Sequence, residues 1–383
     1  MNYPSYFDYN ATTPVDPLVL EAMLPYFGPH FGNAASRTHV FGAKAEEAVA
    51  DARQQLADLL DASPKEVVFT SGATESINLT LKGVWEASRH QGASQQPGHI
   101  ITVSTEHKAV LDTCEHLSRR GAEITYLQPG TDGLIAADQV EAAIQPNTVL
   151  VSVMAANNET GVLQPIQEIG EIAHKHGVLF HTDATQAIGK MPFSFTDSAV
   201  DLLSLSGHKF YGPKGVGALL VRRQVPLSAQ QDGGRHERGH RSGTLNVPGI
   251  VGMGEAAQLA QRHLPTEAKR ISALRDQLEA GILATLPGAT INGSREHRLP
   301  NTTNICFPGV DGELLLLLLN ELAVSNGSAC TSASTDPSHV LKAMGLSDDL
   351  AYSSVRFSLG RFTTEAEVEA AIRHVTAVVN RLC

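Results

Sequence analysis

Short apolar runs alternate with helix-like segments between about residues 45 and 260, and this alternation is the strongest constraint on the fold. The apolar runs occupy residues 67–69, 100–103, 149–153, 178–180, 202–205 and 216–221. They lack a clean alternation of apolar and polar side chains, which is typical of strands buried on both faces of a mostly parallel sheet. Segments between them, such as 43–60 and 166–176, have the apolar spacing of helices. The pattern predicts an α/β fold with helical crossovers between strands.

The rest of the chain predicts a second, smaller domain, because 383 residues are too many for one small domain. A helical stretch at 264–286 leads into it, and a terminal helix is predicted at 364–382. Six consecutive leucines at 314–319 predict a buried helix. We therefore predict a large domain of residues 16–260 and a small domain of residues 1–15 and 261–383.

Composition excludes several classes of partner. The formal net charge of −11 disfavours nucleic acid, which requires a basic surface. The longest apolar run, 314–319, is far short of the ~20 residues that cross a membrane, and the N-terminus shows no secretory pattern. The four cysteines form no C-x-x-C pair and suit a reducing cytoplasm, where we expect the protein to reside. These cysteines are Cys114, Cys306, Cys330 and Cys383.

Lys209 is the residue that most directly suggests chemistry. It follows the apolar run 202–205 in the segment Ser206-Gly207-His208-Lys209, and small and aromatic residues come after it. Desolvation there lowers the pKa of a lysine, and the free amine can then form an imine with an aldehyde cofactor. The alternative is an ordinary surface lysine in a glycine- and proline-rich loop.

Polar residues follow the other apolar runs as well, and in open α/β sheets ligands bind just beyond the carboxyl ends of the strands. Taken alone, each of these residues can be an ordinary loop or helix-cap group. Together they predict a pocket for pyridoxal 5'-phosphate. This cofactor requires a lysine amine, an acid for its ring nitrogen and a phosphate cradle. Lys209 supplies the amine and Asp183 the acid. The predicted cradle contains Ala73, Thr74, Ser206 and His208, and the predicted ring contacts are His107, Asn158 and Gln186.

Motifs across nearly the whole chain carry a resemblance to a known family. They include Asp8-Tyr9-Asn10-Ala11-Thr12-Thr13-Pro14, Phe31-Gly32-Asn33, Thr105-Glu106-His107, Asn157-Asn158-Glu159, His181-Thr182-Asp183, Ser206-Gly207-His208-Lys209, Arg241-Ser242-Gly243-Thr244 and Arg356-Phe357-Ser358-Leu359. With these motifs the chain resembles the NifS-like group I cysteine desulfurases, in the class V aminotransferase branch of fold type I pyridoxal phosphate enzymes. The resemblance implies a large domain with a mostly parallel seven-stranded sheet and a smaller α+β domain at the C-terminal end.

Cys330 is the residue that separates desulfurases from their aminotransferase relatives. It lies in Ser325-Asn326-Gly327-Ser328-Ala329-Cys330-Thr331, a stretch of small residues that predicts a mobile loop with an exposed thiol. The resemblance implies that Cys330 takes sulfur from L-cysteine as a persulfide and leaves L-alanine. A spare thiol with no chemical role is the alternative from the residues alone.

Further roles are implied by the same resemblance. Arg356 would bind the substrate carboxylate, assisted by Asn33, and Lys209 would move the α-proton. His107 would be the acid or base for the substrate thiol. Thr244 would reach the phosphate in the partner subunit's site, so a homodimer is expected. A sulfur-acceptor protein, such as an iron–sulfur scaffold, is the expected macromolecular partner.

The sequence also allows other interpretations. An aminotransferase or a selenocysteine lyase on the same scaffold would share the cofactor pocket, whereas a non-catalytic adaptor for sulfur assembly would not need Lys209, Asp183 or Arg356. A metal site at His236 and His240 would need further ligands in fixed geometry, and the glycine-containing loop around them does not favour it. We expect no metal.

Overall fold

A computed structural model describes residues 4–90, 98–326 and 337–382, so Cys330 and Cys383 lie outside the described residues. The strands are β1 Ser5–Tyr6, β2 Val67–Thr70, β3 His99–Val103, β4 Glu123–Leu127, β5 Thr148–Ser152, β6 Leu179–Asp183, β7 Leu202–Ser206, β8 Gly217–Val221, β9 Thr290–Ile291, β10 Thr302–Cys306, β11 Leu322–Ala323 and β12 Ser354–Ser358. The α-helices are α1 Pro17–Met23, α2 Val40–Leu60, α3 Ala73–His90, α4 Lys108–Arg119, α5 Ala137–Ala143, α6 Ile166–Lys175, α7 Val247–Thr285, α8 Gly312–Leu318, α9 His339–Ala343, α10 Asp348–Tyr352 and α11 Glu365–Leu382. Short 3-10 helices cover Leu24–Phe27, Gly207–Lys209 and Glu237–Gly239.

A seven-stranded sheet forms the centre of the molecule, with strand order β2-β8-β7-β6-β5-β3-β4. Strand β8 runs antiparallel to both of its neighbours, and the other pairs are parallel. Apolar clusters cover both faces: one includes side chains of α2, α6 and the first half of α7, and the other includes side chains of α3 and α4. Because helices cover both faces, the inner strands are almost entirely buried, as their apolar runs predicted. The predicted α/β fold with a mostly parallel seven-stranded sheet is confirmed.

Two strand predictions differ from the structure. Strand β4 was not among the predicted runs because it lies at the sheet edge, where Glu123 and Tyr126 are exposed and interrupt the apolar pattern. Strand β6 continues through Asp183, so His181 lies inside the sheet rather than after it. Its ring nitrogens hydrogen-bond to Ser152 and Ser204, and burial lowers the pKa of this imidazole to about 3.

A third apolar cluster lies around the three-stranded antiparallel sheet β12-β10-β9 and the second half of α7. Phe7 belongs to this cluster, and the adjacent strand β1 pairs with β11. Helix α7 is a single helix of 39 residues that joins this cluster to the main core, so the predicted stretch 264–286 is only its second half. The division into two domains at residue 260 stays a prediction.

The helix predicted around the six leucines is present as α8, but the prediction that it is buried is wrong. Leu315 and Leu319 are fully buried, whereas Leu314 and Leu317 are 42% and 70% exposed. A short helix that packs by one face against α11 leaves its other face open. Across the described ranges, no helix is long and apolar enough to cross a membrane.

Candidate active site

A cavity of about 540 Å³ opens at the carboxyl ends of the central strands. Parallel strands bring the residues that follow them to the same edge of a sheet, and this is where the cavity lies. The predicted residues that line it are Ala73, Thr74, His107, Asn158, Asp183, Gln186, Ser206, His208, Lys209 and Arg356. The structure therefore brings together groups that are up to 283 positions apart, between Ala73 and Arg356.

Lys209 lies in the 3-10 turn that follows β7 and is half-buried. Its amine donates hydrogen bonds to the carbonyl oxygens of Asn10, at 2.6 Å, and Ala11, at 2.7 Å. These two acceptors belong to the N-terminal segment, which crosses the carboxyl ends of the strands. The side chain is thus held at the wall of the cavity, where its amine can meet an aldehyde.

The turn before α3 forms an anion site on another side of the cavity. Ser71, Gly72, Ala73 and Thr74 line the cavity where α3 begins, and the first N–H groups of a helix have no partner within the helix. Such a helix terminus binds phosphate through these N–H groups and the helix dipole. Strand β8 packs directly behind the turn: a Cβ atom at Gly217 would lie 2.6 Å from the Gly72 Cα atom, so only glycine fits there.

Asp183 ends β6 and is almost fully buried at the cavity wall. One carboxylate oxygen accepts a hydrogen bond from the Thr185 backbone N–H at 3.0 Å. Behind it, Glu106 is fully buried, and burial together with the charge of Asp183 raises its pKa well above the usual range. This shift favours the neutral form of Glu106, so Asp183 is the carboxylate available to a cationic ring nitrogen.

Two histidines contribute their rings to the cavity wall. His107 caps α4, with Nδ1 accepting a hydrogen bond from the Ala109 N–H at 3.1 Å, which places the proton of the neutral ring on Nε2. His208 bonds to the Thr12 hydroxyl through Nδ1 at 3.0 Å. Burial and the cations of Lys209, Lys214 and Lys190 lower the pKa of His208 to about 4, so this ring is neutral at pH 7.

Arg356 lies in the middle of β12 and is 3% exposed. Its guanidinium donates to Asp8 Oδ1 at 2.5 Å and to the Asn158 carbonyl oxygen at 2.8 Å. Its Nε atom is buried without a hydrogen-bond partner among the described residues. Asp8 and Asn158 hold the guanidinium at the cavity, and the unpaired Nε leaves it capacity for another acceptor such as a carboxylate.

Two predicted site residues do not line this cavity. Asn33 is exposed in the segment between the first 3-10 helix and α2, where its side chain accepts a bond from the Ala35 N–H. Thr244 is exposed in the loop before α7. In a single chain neither residue reaches the pocket, so their predicted roles depend on another subunit or a change of position.

The segment that contains Cys330 lies outside the described residues, but its two flanks are anchored next to the site. Before it, Ser325 pairs with Arg356 as an isolated β-bridge, and the Arg356 N–H donates to the Ser325 carbonyl oxygen at 2.6 Å. After it, the Ser338 hydroxyl donates to the buried carboxylate of Glu159. One end of the segment is therefore fixed to Arg356 of the cavity wall, and the other to Glu159, which follows the cavity residue Asn158 in the chain.

Asn10 and Lys190 were not assigned a role from the sequence. The Asn10 side chain and backbone carbonyl bind Lys190 and Lys209 respectively, and the Lys190 amine also donates to Gln186 Oε1 at 2.6 Å. The sequence signal for Lys190 is weak: it is a single lysine four positions after Gln186 in a mostly apolar stretch. Burial and the cations of Lys209 and Arg356 lower its pKa well below the usual range.

The fold and the pocket are those of a fold type I pyridoxal phosphate enzyme: an amine, an acid and an anion-binding turn meet in one cavity large enough for the cofactor. The Aminotransferase class-V family matches residues 5–371. The chain belongs to this family, and within it to the cysteine desulfurases. The predicted family and its cofactor are confirmed.

Individual relatives cover almost the full chain. Cysteine desulfurase IscS of Anaeromyxobacter dehalogenans is 57% identical over 384 residues, covering 100% of this chain and 94% of the relative. The protein of the same name from Proteus mirabilis is 54% identical, with the same coverage. A solved structure described as a NifS-like protein superposes with a TM-score of 0.91 at 40% identity, covering 99% of this chain and 100% of that chain. A structure described as SspA in complex with cysteine has a TM-score of 0.82 at 42% identity, covering 94% and 100%.

Proposed function

We propose that the protein is a cysteine desulfurase that converts L-cysteine to L-alanine and carries the sulfur as a persulfide on Cys330. The observation that carries this proposal is the convergence of Lys209, Asp183 and Arg356 on one cavity at the carboxyl ends of the strands. These three residues supply an amine for the cofactor, an acid for its ring and a cation for the substrate carboxylate. The relatives named cysteine desulfurase support the same reaction.

Pyridoxal phosphate, when bound, withdraws electrons from the substrate α-carbon. Around it, Lys209 holds the aldehyde end in the absence of substrate and afterwards moves the α-proton. Arg356 binds the substrate carboxylate. His107, with its neutral-ring proton on Nε2, exchanges a proton with the substrate thiol. The Ser71–Thr74 turn and the neutral ring of His208 hold the phosphate.

The sulfur transfer step balances without an added oxidant. The Cys330 thiolate attacks the sulfur of the bound cysteine and forms an S–S bond, while the bond between that sulfur and the substrate β-carbon breaks. The electrons of the broken bond remain on the carbon side, which takes up protons and leaves as alanine. The sulfur stays on Cys330 as a persulfide, which a later thiol removes.

The anchored flanks support this role for Cys330. It is five residues after Ser325, and five extended residues span at most about 17 Å. Ser325 itself is bonded to the backbone of Arg356, a residue of the cavity wall. The connection from Ser325 is therefore short enough to keep Cys330 near the substrate site.

We also propose that the enzyme acts as a homodimer in the cytoplasm and passes sulfur to an acceptor protein such as an iron–sulfur scaffold. Several large apolar side chains are exposed in the first 41 residues and support the dimer, since a partner subunit would bury them. They are Leu18, Leu20, Leu24, Phe27, Phe31, Val40 and Phe41. Asn33 lies in the same part of the chain, and Thr244 would complete the phosphate site of the partner subunit.

Mixed dimers test the role of Thr244. A Lys209→Ala chain and a Thr244→Asp chain are each expected to be inactive alone, because one lacks the amine and the other places a carboxylate against the phosphate. In a mixed dimer, one site combines native Lys209 with native Thr244 from the other chain. Activity should then return to roughly one quarter of wild type, as random pairing of chains predicts. The measurement is alanine production after joint refolding of the two chains, with molar mass followed by light scattering. Absence of recovery in dimeric protein would show that Thr244 does not act across an interface.

Product analysis tests the proposed function itself. The holoenzyme is given L-cysteine and a thiol reductant, L-selenocysteine and reductant, or an amino acid with a 2-oxo acid. Alanine and sulfide from L-cysteine, without consumption of the 2-oxo acid, are expected. Amino-group exchange with the 2-oxo acid as the main reaction would identify an aminotransferase, and a strong preference for selenocysteine would identify a lyase. Either result would overturn the proposal.

A further inference from the structure

Glu75 lies in the first turn of α3, beside the turn 71–74 that would hold the cofactor phosphate. Its Oε2 atom accepts the Ser71 N–H at 2.7 Å, so a carboxylate of the protein itself takes one backbone donor of the turn. The Thr70 hydroxyl oxygen accepts a second donor, the Gly72 N–H, at 3.3 Å. The N–H groups that follow, at the start of α3, are therefore the ones that can bind an outside anion.

The charge of Glu75 conflicts with such an anion. Glu75 and Asp183 are the two carboxylates that line the cavity in the described part of the chain. A carboxylate in the first turn of a helix interacts favourably with the helix dipole. It also repels a phosphate dianion bound at the same helix end, and this repulsion is stronger at a partly buried site than in bulk water. The charge of Glu75 must therefore be balanced if the turn is to bind phosphate.

Arg241 balances this charge. Its Nε atom donates to Glu75 Oε1 at 2.8 Å, and a terminal nitrogen of its guanidinium donates to Oε2 at 3.3 Å, a bidentate contact. The side chains of Arg241 and Glu75 are only 17% and 22% exposed, so salt screens the pair weakly. Burial alone would raise the pKa of Glu75, but its hydrogen bonds to Arg241 and Ser71 bring the pKa below its ordinary value, so the carboxylate is charged.

The loop 233–243 fixes the position of Arg241. Glu237 in this loop is 7% exposed and accepts the Phe69 N–H at 2.8 Å and two bonds from Arg53 at 2.7 and 2.8 Å. Phe69 belongs to β2, which leads into the phosphate turn. The loop is thus bonded to the strand before the turn and, through Arg241, to the helix after it.

We propose that Arg241 is a positioning residue for the cofactor phosphate: it holds the Glu75 carboxylate on the Ser71 N–H and balances its charge, so that the turn binds a phosphate dianion next to a carboxylate. This inference rests on the phosphate site of the proposed function, but its test requires no turnover. If the ion pair only tied the helix to the loop, loss of either partner would weaken cofactor binding alike. Charge balance instead predicts opposite effects for the two partners.

The test compares how tightly full-length protein freed of cofactor binds pyridoxal 5'-phosphate and pyridoxal, which lacks the phosphate. Both aldehydes can bond to Lys209, so the difference between their Kd values reports on the phosphate site. Arg241→Gln leaves the carboxylate unbalanced and is expected to raise the Kd of pyridoxal phosphate ~10-fold, with the Kd of pyridoxal unchanged. Glu75→Gln keeps an acceptor for the Ser71 N–H without the charge, so its Kd for pyridoxal phosphate should equal that of wild type or lie below it.

Further variants separate charge from structure. The double variant Glu75→Gln/Arg241→Gln removes both charges and should regain most of the affinity that Arg241→Gln loses. Arg241→Lys keeps a cation without the bidentate geometry and should lie between wild type and Arg241→Gln. Arg120→Gln is the matched control, because Arg120 pairs with Glu86 further along the same helix; it should bind both aldehydes as wild type does. Thermal unfolding is recorded for each variant, and Glu75→Gln serves as the test if Arg241→Gln does not fold.

Unchanged binding of pyridoxal phosphate by Arg241→Gln would overturn the proposal while leaving the phosphate site in place. Weaker binding by Glu75→Gln, or no recovery in the double variant, would also overturn it, because either result indicates a purely structural tie. So would an equal loss of affinity for pyridoxal, since the defect would then not concern the phosphate. If the variants behave as expected but no alanine forms from L-cysteine, the proposed reaction fails and the role of Arg241 stands.

Discussion

Replacing Lys209 by alanine is expected to lower alanine production from L-cysteine by ~10²–10⁴-fold, the range for loss of a positioned acid or base. The variant loses both the amine that holds the cofactor and the base that moves the α-proton. It also loses the hydrogen bonds to the Asn10 and Ala11 carbonyl oxygens, which water entering from the open cavity can replace. The measurement is the steady-state rate of alanine formation, with the cofactor spectrum and thermal unfolding recorded on the same samples.

Two variants control for charge and for fold in that experiment. Lys209→Arg keeps a cation in place but cannot bond to the cofactor aldehyde, so it should be as inactive as Lys209→Ala while unfolding like wild type. Lys175→Ala removes an exposed lysine of α6 that pairs with Glu141, and it should leave the rate unchanged. Substantial alanine production by Lys209→Ala would remove this residue from the chemistry.

Replacing Arg356 by alanine is expected to raise the KM for L-cysteine by roughly 30- to 150-fold. This range corresponds to about 2–3 kcal/mol, the cost of losing a buried charge-assisted hydrogen bond. The variant should also be less stable, because Asp8 then loses the guanidinium that it binds at 2.5 Å. KM and kcat are measured separately. Arg356 binds the carboxylate equally in the substrate complex and in the transition state, so its loss should raise KM more than it lowers kcat.

Arg275→Ala is a matched control for the loss of a buried arginine. Arg275 is 6% exposed in α7 and donates to the Leu299 carbonyl oxygen, away from the cavity. Its loss should lower the unfolding temperature without changing the KM for L-cysteine. An unchanged KM in Arg356→Ala, in protein that remains folded, would contradict the assignment of Arg356 to the substrate carboxylate.

The main sheet could be predicted from sequence because its inner strands are buried on both faces. Six of its seven strands appear as apolar runs, such as 149–153 and 202–205. Strand β4 has no continuous apolar run, because an edge strand needs fewer apolar side chains. The leucines of α8 show the opposite error: an apolar run predicted burial, but a seven-residue helix on the surface covers only one of its faces.

Ten predicted site residues line the cavity. They could be predicted because ligands in open α/β sheets bind beyond the carboxyl ends of the strands, and this rule requires no knowledge of side-chain contacts. The contacts behind them could not be predicted in this way. Asp8 meets Arg356 across 348 positions, and Asn10 meets Lys190 across 180 positions. These pairs depend on the path of the N-terminal segment over the sheet, which no local pattern specifies. The roles of Asn33, Thr244 and Cys330 stay predictions.

The most direct test of sulfur transfer through Cys330 is a single turnover of L-cysteine without reductant, in wild type and Cys330→Ala side by side. Alanine is quantified, and the peptide containing Cys330 is examined by mass spectrometry. We expect about one alanine per active site in wild type, one added sulfur atom on Cys330, and neither product in the variant, whose cofactor spectrum should be unchanged. Equal alanine formation by Cys330→Ala, or a sulfur-free Cys330 after turnover, would contradict transfer through this thiol.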